Sequence, residues 1–377
     1  MTRKRIVVAG LGDVGILVAI RLARHFDVVG ISTKPGLVSG QELGVRLSRP
    51  TDWARDYWIP FDRFRRLDGV RTVQAELTGL DPQARRVFAR RADGSEITEE
   101  YDALVISTGV SNGFWRRPTL QSAADVDADL RAAHERLAGA QSVIVVGGGA
   151  AAVSSAFNMA ATWPGKRIDL YFPGERPLAG YHVRTWNRIR KRLIDLGVGL
   201  HPGHRAVLPN GSGGPDITDI TSGTVSWSTG QPPASADAVL WTIGQVRPNT
   251  DWLPAELLDE DGFVRVTPQL QVPGCQAVFA VGDVASTDPL RSSARNRGDA
   301  LVVKNIRAAF EGGQLGSYRA PNHRWGSLVG AQPNGLEVFF PSGQAFRFPS
   351  WAVQRVVMPL IVRWGLYRGV RDASPLS

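Results

Sequence analysis

Two glycine-rich turns, each preceded by an apolar run, are the residues whose types and spacing point most clearly to chemistry. The first turn carries Gly10, Gly12, Asp13 and Gly15 after Ile6–Ala9, and the second carries Gly147, Gly149 and Ala152 after Val143–Val146. In this pattern the first glycine makes a tight turn, the second lets a pyrophosphate approach the backbone, and the third small residue keeps the helix close to its strand. The phosphates then accept hydrogen bonds from N–H groups at a helix N-terminus. Each turn therefore predicts a dinucleotide-binding site.

The presence of two such turns is more informative than either turn alone. A lone turn is weak evidence, because a packed glycine turn without a ligand is the alternative at each position. Two copies in a strand-turn-helix context indicate a flavoprotein that holds one dinucleotide as a bound cofactor and uses another as electron donor. Two further apolar strands end in small residues, where backbone can contact a cofactor: one at Thr108 and Gly109, the other at Gly244.

Composition limits the chemistry that the protein can perform. The chain has 377 residues, of which 43% are hydrophobic and 21% charged, which is typical of a globular protein with two or three domains. Cys275 is the single cysteine, so an intramolecular disulfide and a redox-active dithiol are both excluded. No Cys/His spacing suggests a metal site. The six histidines are scattered, and we assign no side chain a catalytic role.

The net charge of +9 favours an acidic partner or an anionic membrane surface, with a basic cytosolic protein as the alternative. We expect no nucleic-acid partner. Ile6–Leu22 after Arg3-Lys4-Arg5 could mimic a signal peptide, but Asp13 and three glycines inside the run favour a buried strand and its helix. No uncharged apolar stretch is long enough to span a membrane. We therefore expect a cytoplasmic protein, with the inner face of the membrane as an alternative location.

The pattern along the chain predicts an α/β fold. Residues 5–32 and 143–172 each read as a β-α-β unit, with helices over about 14–25 and 150–162. Residues 69–106 read as short strands with a hairpin turn at Asp93-Gly94, and a helical stretch lies near 123–138. We expect two Rossmann-like dinucleotide-binding domains and a small α+β C-terminal region.

Three stretches of the chain resemble a known family: Leu104–Gly109, Ser142–Tyr171 and Gly262–Asp283. They resemble the two-dinucleotide-domain flavoprotein reductases, most closely the apoptosis-inducing-factor-like group that includes ferroptosis suppressor protein, with type II NADH dehydrogenases as more distant relatives. The match runs from residue 5 to about residue 310. It implies an FAD domain over 1–118 and 251–320, an NAD(P) domain over 119–250, and a C-terminal region over 321–377 with an amphipathic helix.

The resemblance also implies roles for individual residues. Gly10, Gly12 and Gly15 would hold the FAD pyrophosphate, Arg46 falls where the family places an FAD-contacting arginine, and Leu77 would meet the adenine through its backbone. Asp283 would hydrogen-bond the ribityl chain, with Gly282 near the flavin ring. Family members pass a hydride from NADPH or NADH to FAD and then electrons to a quinone, often at a membrane surface.

Two positions depart from the family pattern. The acidic residue that normally binds the FAD adenosine ribose should end the second strand, but Ser32, Thr33 and Lys34 stand there instead. The family's glutamate shortly after the second glycine turn, near the nicotinamide and the flavin, is replaced by Ser154. The first departure predicts weaker or different FAD contacts, and the second puts efficient NAD(P)H oxidation in question.

The second ribose site carries a basic residue. No acidic residue appears at the end of the strand over 167–172 before Glu175, and Arg176 follows it. An arginine there could pair with a 2′-phosphate, which predicts NADPH rather than NADH as donor. The alternative is a solvated loop arginine.

The C-terminal stretch from Trp351 to Arg371 predicts an amphipathic helix. Its apolar residues fall at helical spacing on one stripe, and four arginines accompany them: Val353, Val356, Val357, Leu360, Ile361 and Trp364, with Arg355, Arg363, Arg368 and Arg371. An apolar stripe with tryptophan and arginine suits a helix at a membrane surface, which Pro359 would bend. The alternative is a helix that packs on the flavin domain or forms a dimer interface.

The sequence therefore predicts an FAD-dependent oxidoreductase that uses NAD(P)H and delivers electrons to a small, planar, quinone-like acceptor. Two alternatives stay open. One is a flavin-dependent oxidase or dehydrogenase of a specific metabolite with a degenerate NAD(P) site, and the other is a non-catalytic FAD- or NAD-binding redox sensor. The oligomeric state does not follow from the sequence.

Overall fold

The computed structural model describes residues 3–111, 117–209, 217, 219–243, 246–287, 298–320 and 324–372. Within these residues the chain forms two α/β units built on mainly parallel sheets, followed by a small antiparallel sheet and a terminal helix. The predicted α/β class with two Rossmann-like units is confirmed. The exact domain boundaries stay a prediction.

The elements follow one another in the order that the two glycine turns predict. The first part of the chain contains β1 (Arg5–Ala9), α1 (Gly15–Leu22), β2 (Asp27–Ser32), β3 (Gly36–Val38), α2 (Leu43–Ser48), α3 (Pro50–Tyr57), β4 (Trp58–Pro60), β5 (Val70–Gln74), β6 (Glu76–Asp81), β7 (Arg86–Arg90), β8 (Glu96–Glu100), β9 (Ala103–Ile106) and β10 (Val110–Ser111). The middle part contains α4 (Ala123–Gly139), β11 (Ser142–Val146), α5 (Ala150–Thr162), β12 (Arg167–Tyr171), α6 (Val183–Asp195), β13 (Gly199–His201), β14 (Thr221–Val225), β15 (Ala234–Trp241) and β16 (Arg247–Pro248). The last part contains β17 (Gln271–Val272), β18 (Cys275–Ala280), α7 (Gly298–Glu311), β19 (Gly326–Gln332), β20 (Gly335–Phe339), β21 (Ala345–Phe348), the short α8 (Ser350–Ala352) and a helix over Val353–Leu366. Short 3₁₀ turns occupy Phe61–Arg63, Arg65–Leu67 and Ala255–Leu257.

The first sheet has the strand order β17-β18-β9-β1-β2-β5 and is parallel apart from β17. Its central strands are apolar except at their ends, because helix α1 covers one face and the β6–β8 meander lies against the other. Strand β18 pairs in parallel with β9, so residues late in the chain complete a sheet that the first hundred residues begin. The carboxyl ends of β1, β2, β9 and β18 consequently meet along one edge.

The second sheet has the order β13-β12-β11-β15-β14, with β11 parallel to both β12 and β15. Helix α5 follows the second glycine turn and packs its small residues against this sheet. The two units touch where α2 lies on α5. A Cβ built on Gly44 would lie 2.1 Å from the carbonyl oxygen of Ser154, so only glycine permits this approach.

The antiparallel sheet β19-β20-β21 packs on the second unit through apolar residues, and a buried carboxylate attaches it to α6. Glu337 on β20 is 3% exposed and accepts hydrogen bonds from Arg188 at 2.6 Å and Arg192 at 3.2 Å, both on α6, and from Arg347 on β21 at 3.3 Å. Burial raises the pKa of Glu337, but the hydrogen bond from Arg188 and the three positive charges outweigh it, so the pKa lies below the ordinary value. The carboxylate therefore stays ionised.

The terminal helix over Val353–Leu366 is a π-helix, not the α-helix that the stripe predicts. Its hydrogen bonds run from residue i to i+5, as between the Val362 carbonyl and the Tyr367 amide at 3.0 Å. The wider period splits the predicted single stripe into two faces. Val353 and Val357 are buried against the body of the protein, whereas a second apolar set faces solvent: Trp351, Val356, Leu360, Ile361 and Trp364. No helix in the described part of the chain is long and apolar enough to cross a bilayer.

Replacing Glu337 tests the docking of the C-terminal sheet. We expect Glu337→Gln to lower the free energy of unfolding at pH 7 by about 2 kcal/mol, because charge-assisted hydrogen bonds to a buried carboxylate are lost. The depressed pKa means that this stabilisation is complete above the unfolded-state pKa near 4.5 and is lost as the pH falls through the folded-state pKa. Chemical denaturation at pH 7 and pH 3 measures both effects. Glu100→Gln, which removes an exposed pair with Arg86, is the control and should cost about 0.5 kcal/mol or less; equal losses in the two variants would contradict the docking role.

Candidate dinucleotide-binding sites

A cleft lies along the edge where the carboxyl ends of the first sheet meet. It holds about 1660 Å³ of atom-free space, part of which is open solvent. The predicted residues that line it are Gly10, Gly12, Asp13, Ser32, Lys34, Arg46, Leu77, Thr108, Gly109, Gly282 and Asp283. These residues come from six separate segments of the chain, and the fold brings all of them to one cavity. Their contacts with a cofactor stay a prediction.

The first glycine turn combines close packing with an open approach. A Cβ on Gly10, where φ is +99°, would lie 2.5 Å from the Ser107 carbonyl oxygen, and one on Gly15 would lie 1.8 Å from the Gly10 carbonyl oxygen. A Cβ on Gly12 would meet nothing within 4 Å. Gly10 and Gly15 are therefore required by packing, whereas the space in front of Gly12 is open to a phosphate. This arrangement fits the pyrophosphate of FAD.

Polar contacts hold the loop between the first glycine turn and α2. The carboxylate of Asp13 accepts hydrogen bonds from the Ser39 hydroxyl at 2.7 Å and the Gly40 amide at 3.0 Å. Arg46 on α2 is buried, and its guanidinium carbon lies 5.0 Å from the ring centre of Trp53. The indole ring of Trp53 holds the Arg46 guanidinium at the wall of the cleft. Its positive charge can attract an anionic group of a ligand there.

Lys34 lies two residues beyond the end of β2, near the position where the family resemblance implies an acidic residue. The Lys34 ammonium donates hydrogen bonds to the backbone carbonyls of Arg117, at 3.2 Å, and Thr119. Burial lowers the pKa of Lys34 to about 8. The nearby positive charges of Arg46 and Arg117 contribute to this lowering of the pKa, while Asp129 and Asp125 oppose it. Lys34 therefore fastens residues 117–119 beside the predicted adenosine end of the cleft.

Asn249 is a lining residue that the sequence analysis missed. Its side-chain amide donates to the Thr108 carbonyl at 2.9 Å, and its backbone carbonyl accepts from the Thr108 hydroxyl at 2.8 Å. It lies next to the pairing of β10 with β16, where the chain passes between the two units. Nothing in its local sequence context marks it, because its partner is 141 residues away.

The second glycine turn repeats the geometry of the first. A Cβ on Gly147 would lie 2.3 Å from the Thr242 carbonyl oxygen, while one on Gly149 would meet nothing within 4 Å. Ala152, at the third position, is fully buried. The turn thus has the same closed first position and open second position. Gly244 lies outside the described residues.

Arg176 and Ser154 lie beside this second turn in different settings. The Arg176 guanidinium is 3.4 Å from the carbonyl oxygens of Leu178 and Tyr181 in its own loop. Ser154 is 3% exposed and lies inside the contact of α5 with α2. A glutamate at position 154 would not fit against Gly44 unless the two helices moved apart, so the packing accounts for the small residue at this position.

Comparison with known proteins identifies the family. Residues 4–311 match the model of the pyridine nucleotide-disulphide oxidoreductases. The chain belongs to this family. It is 24% identical over 332 residues to apoptosis-inducing factor homolog B of Dictyostelium discoideum, and the match covers 82% of each chain. It is also 24% identical to ferroptosis suppressor protein 1 of Xenopus tropicalis, over 84% of this chain and 83% of the relative.

Solved structures share this fold. A water-forming NADH oxidase of Lactobacillus brevis, solved with NADH bound, superposes with a TM-score of 0.60 at 18% identity, over 80% of this chain and 69% of the oxidase. The resemblance to the apoptosis-inducing-factor-like group is confirmed, and FAD and a nicotinamide dinucleotide are the cofactors of the family. The disulphide in the family name has no counterpart here, because Cys275 is the single cysteine.

Two glycine substitutions separate binding from packing at the first turn. We expect Gly12→Ala to leave the stability of the cofactor-free protein within about 0.5 kcal/mol, because its Cβ meets no atom. The affinity for FAD should fall roughly tenfold or more, since the methyl group fills the space in front of the turn. Gly15→Ala should instead destabilise the fold. Titration of the apoprotein with FAD and denaturation of each variant measure these effects; unchanged FAD affinity in Gly12→Ala would argue against a pyrophosphate at this turn.

Proposed function

We propose that this protein is an FAD-dependent NAD(P)H oxidoreductase that delivers electrons to a quinone-like acceptor. The observation that carries the proposal is the pair of glycine turns, each closed by packing at its first residue and open at its second. The first turn opens into the large cleft, which suits a resident dinucleotide, and the second suits an exchanging donor. Bound FAD would supply the redox chemistry between donor and acceptor.

The residues of this chain would bind and orient the two dinucleotides. The amide groups at the start of α1 and Arg46 face the space where the FAD pyrophosphate would lie. Asp283, beside Gly282 at the end of β18, would accept a hydrogen bond from the ribityl chain. With a single cysteine the chain has no dithiol relay, so the acceptor must reach the flavin directly. A planar acceptor meets that requirement.

The position of Ser154 supports a second candidate, a flavin-dependent oxidase or dehydrogenase of a specific metabolite. Because residue 154 is a serine, it places no carboxylate at the contact between α2 and α5. If that carboxylate assists hydride transfer in relatives, the donor reaction is slow here. Rapid anaerobic bleaching of the flavin by NADPH or NADH favours the reductase; bleaching by a metabolite alone favours the oxidase.

The flavin assignment is tested on the purified protein and on Asp283→Ala. We expect yellow protein with non-covalent FAD that NADPH or NADH bleaches without oxygen. Asp283→Ala should stay folded and lose most of its flavin, because a charge-assisted hydrogen bond contributes about 1.5–3 kcal/mol. Asp261→Ala, on an exposed loop, is the control and should keep its FAD. Colourless wild-type protein that takes up no added FAD would refute the assignment.

Arg176 is the residue that we propose to favour NADPH. To pair with a 2′-phosphate, its guanidinium would exchange its long contacts to two loop carbonyls for charge-assisted bonds. We expect Arg176→Ala to raise the KM for NADPH about tenfold and to change the KM for NADH much less. Arg190→Ala, on the exposed face of α6, should alter neither. Equal losses for both donors would show that Arg176 does not read the phosphate.

We further propose that the exposed face of the π-helix rests on an anionic membrane surface. Trp364, Leu360 and Ile361 of this helix are exposed, with Trp364 at 57%, and Trp351 on the preceding α8 is 63% exposed. Arg363 pairs with Asp56 and Asp372, and Arg371 pairs with Asp68. The electrostatic attraction to the membrane would therefore come from Arg355 and Arg368. At about 1 kcal/mol for each arginine, this attraction is smaller than the apolar contribution.

Substitutions on that face test membrane binding without uncovering the core. We expect wild-type protein to bind vesicles that contain phosphatidylserine, with an affinity that weakens only modestly as salt rises. Leu360→Gln combined with Trp364→Ser should abolish sedimentation with vesicles and preserve turnover of a soluble quinone. Phe346→Ser, an exposed aromatic on β21, is the control. Wild-type protein that ignores such vesicles at low salt would refute the membrane proposal alone.

A further inference from the structure

One buried amide joins the two α/β units and the C-terminal sheet. Asn158 on α5 is fully buried. Its Oδ1 accepts hydrogen bonds from Arg49 Nη2 at 3.2 Å and from Gln332 Nε2 at 3.0 Å. Its Nδ2 donates to the carbonyls of Ser154 at 2.9 Å and Val329 at 3.0 Å. Arg49 follows α2 and Gln332 ends β19, so each part of the protein contributes to the junction.

The junction lies beside the closest approach of the two units. Ser154, whose carbonyl binds the Asn158 amide, is also the residue against which the Gly44 backbone packs. Helix α2 carries Arg46 into the wall of the first cleft, and α5 begins at the second glycine turn. The amide therefore connects a helix that lines the first cleft with the helix that begins at the second glycine turn.

The network favours a single arrangement of the helices. Arg49 Nη2 also donates to the Ala331 carbonyl at 2.9 Å, and Gln332 Nε2 to the Val329 carbonyl at 2.6 Å. A shift of α5 along α2 would separate the buried Asn158 amide from Arg49, Gln332 and the Val329 carbonyl, which would leave its polar atoms without these partners. Apolar packing alone would resist such a shift less specifically.

We propose that Asn158 is a positioning residue that fixes α5 against α2 and thereby sets the geometry between the donor and the flavin. The proposal rests on the proposed function for the identity of the two ligands. Asn158 lies in neither glycine turn and touches neither ligand site. Its loss should therefore slow hydride transfer while leaving the binding of FAD and of donor nearly unchanged, because transfer rates depend steeply on alignment.

The kinetic test uses FAD-loaded Asn158→Leu, which keeps a similar volume and removes every hydrogen bond of the amide. At saturating donor we expect the rate of anaerobic flavin reduction to fall roughly tenfold or more, with the apparent donor Kd changed less than about twofold. Ser155→Ala, equally buried on the same helix, is the matched control and should change neither. If Asn158→Leu folds poorly, Gln332→Met replaces it, because this variant removes one hydrogen bond to Asn158. It should also slow flavin reduction at a nearly unchanged donor Kd, but by a smaller factor. If Asn158 has a merely structural role, Asn158→Leu should lower FAD content and thermal stability without slowing flavin reduction at an unchanged donor Kd.

A second measurement does not depend on the donor. Cys275, the single native cysteine, lies on β18 of the first unit, and Lys191→Cys adds an exposed label site on α6 of the second. Pulsed electron spin resonance between spin labels at these sites should give a narrow distance distribution in the parent and a broader one with Asn158→Leu. An unchanged distribution overturns the proposal. A broader one in protein whose flavin neither NADPH nor NADH reduces supports the positioning role and rejects the proposed function.

Discussion

The close approach of β1 and β9 at their carboxyl ends is the constraint on which the first site depends. Gly10 lies so near Ser107 that no Cβ fits between them, and the Ser107 hydroxyl donates to the Gly10 carbonyl at 2.8 Å. Gly15 then brings α1 against the same carbonyl. Because the backbone is crowded on the side of β9, the turn projects away from the sheet. The start of α1 and the open side of Gly12 therefore face the cleft. Loss of that approach would remove the phosphate site together with the packing.

The charges around the cleft follow from burial as much as from residue type. Lys34 lies near the position where the family resemblance implies an acidic residue, and its ammonium donates hydrogen bonds to the backbone carbonyls of residues 117 and 119. Its pKa of about 8 shows how strongly burial opposes the charge. Arg46 instead keeps its charge at the cleft wall against Trp53. The departure from the family pattern thus changes how the chain closes over the adenosine end, and leaves the phosphate end basic.

The C-terminal region connects to the two units in different ways. Its sheet is attached to α6 through Glu337 and to α5 through Asn158, both buried polar contacts. Its helix packs on the first unit through Val362 and Leu366 and leaves Leu360, Ile361 and Trp364 exposed. Buried polar groups specify one arrangement because any other leaves them unsatisfied. An apolar face carries no such specification, which is why it suits a membrane surface that offers no fixed partner.

The sequence by itself determined the fold class, the two glycine turns and eleven of the residues that line the first cleft, since apolar strands and glycine spacing are local signals. The sequence placed small residues after the strands that lead to Gly10, Thr108 and Gly282, and the parallel pairing of these strands brings them to one edge. Only the tertiary structure revealed Asn249, whose partner is distant in the chain, and the burial of Ser154 against Gly44. The stripe over 353–364 was read with the α-helical period, and the π-helix distributes the same residues over two faces. These features depend on which surfaces meet, and no local pattern encodes that.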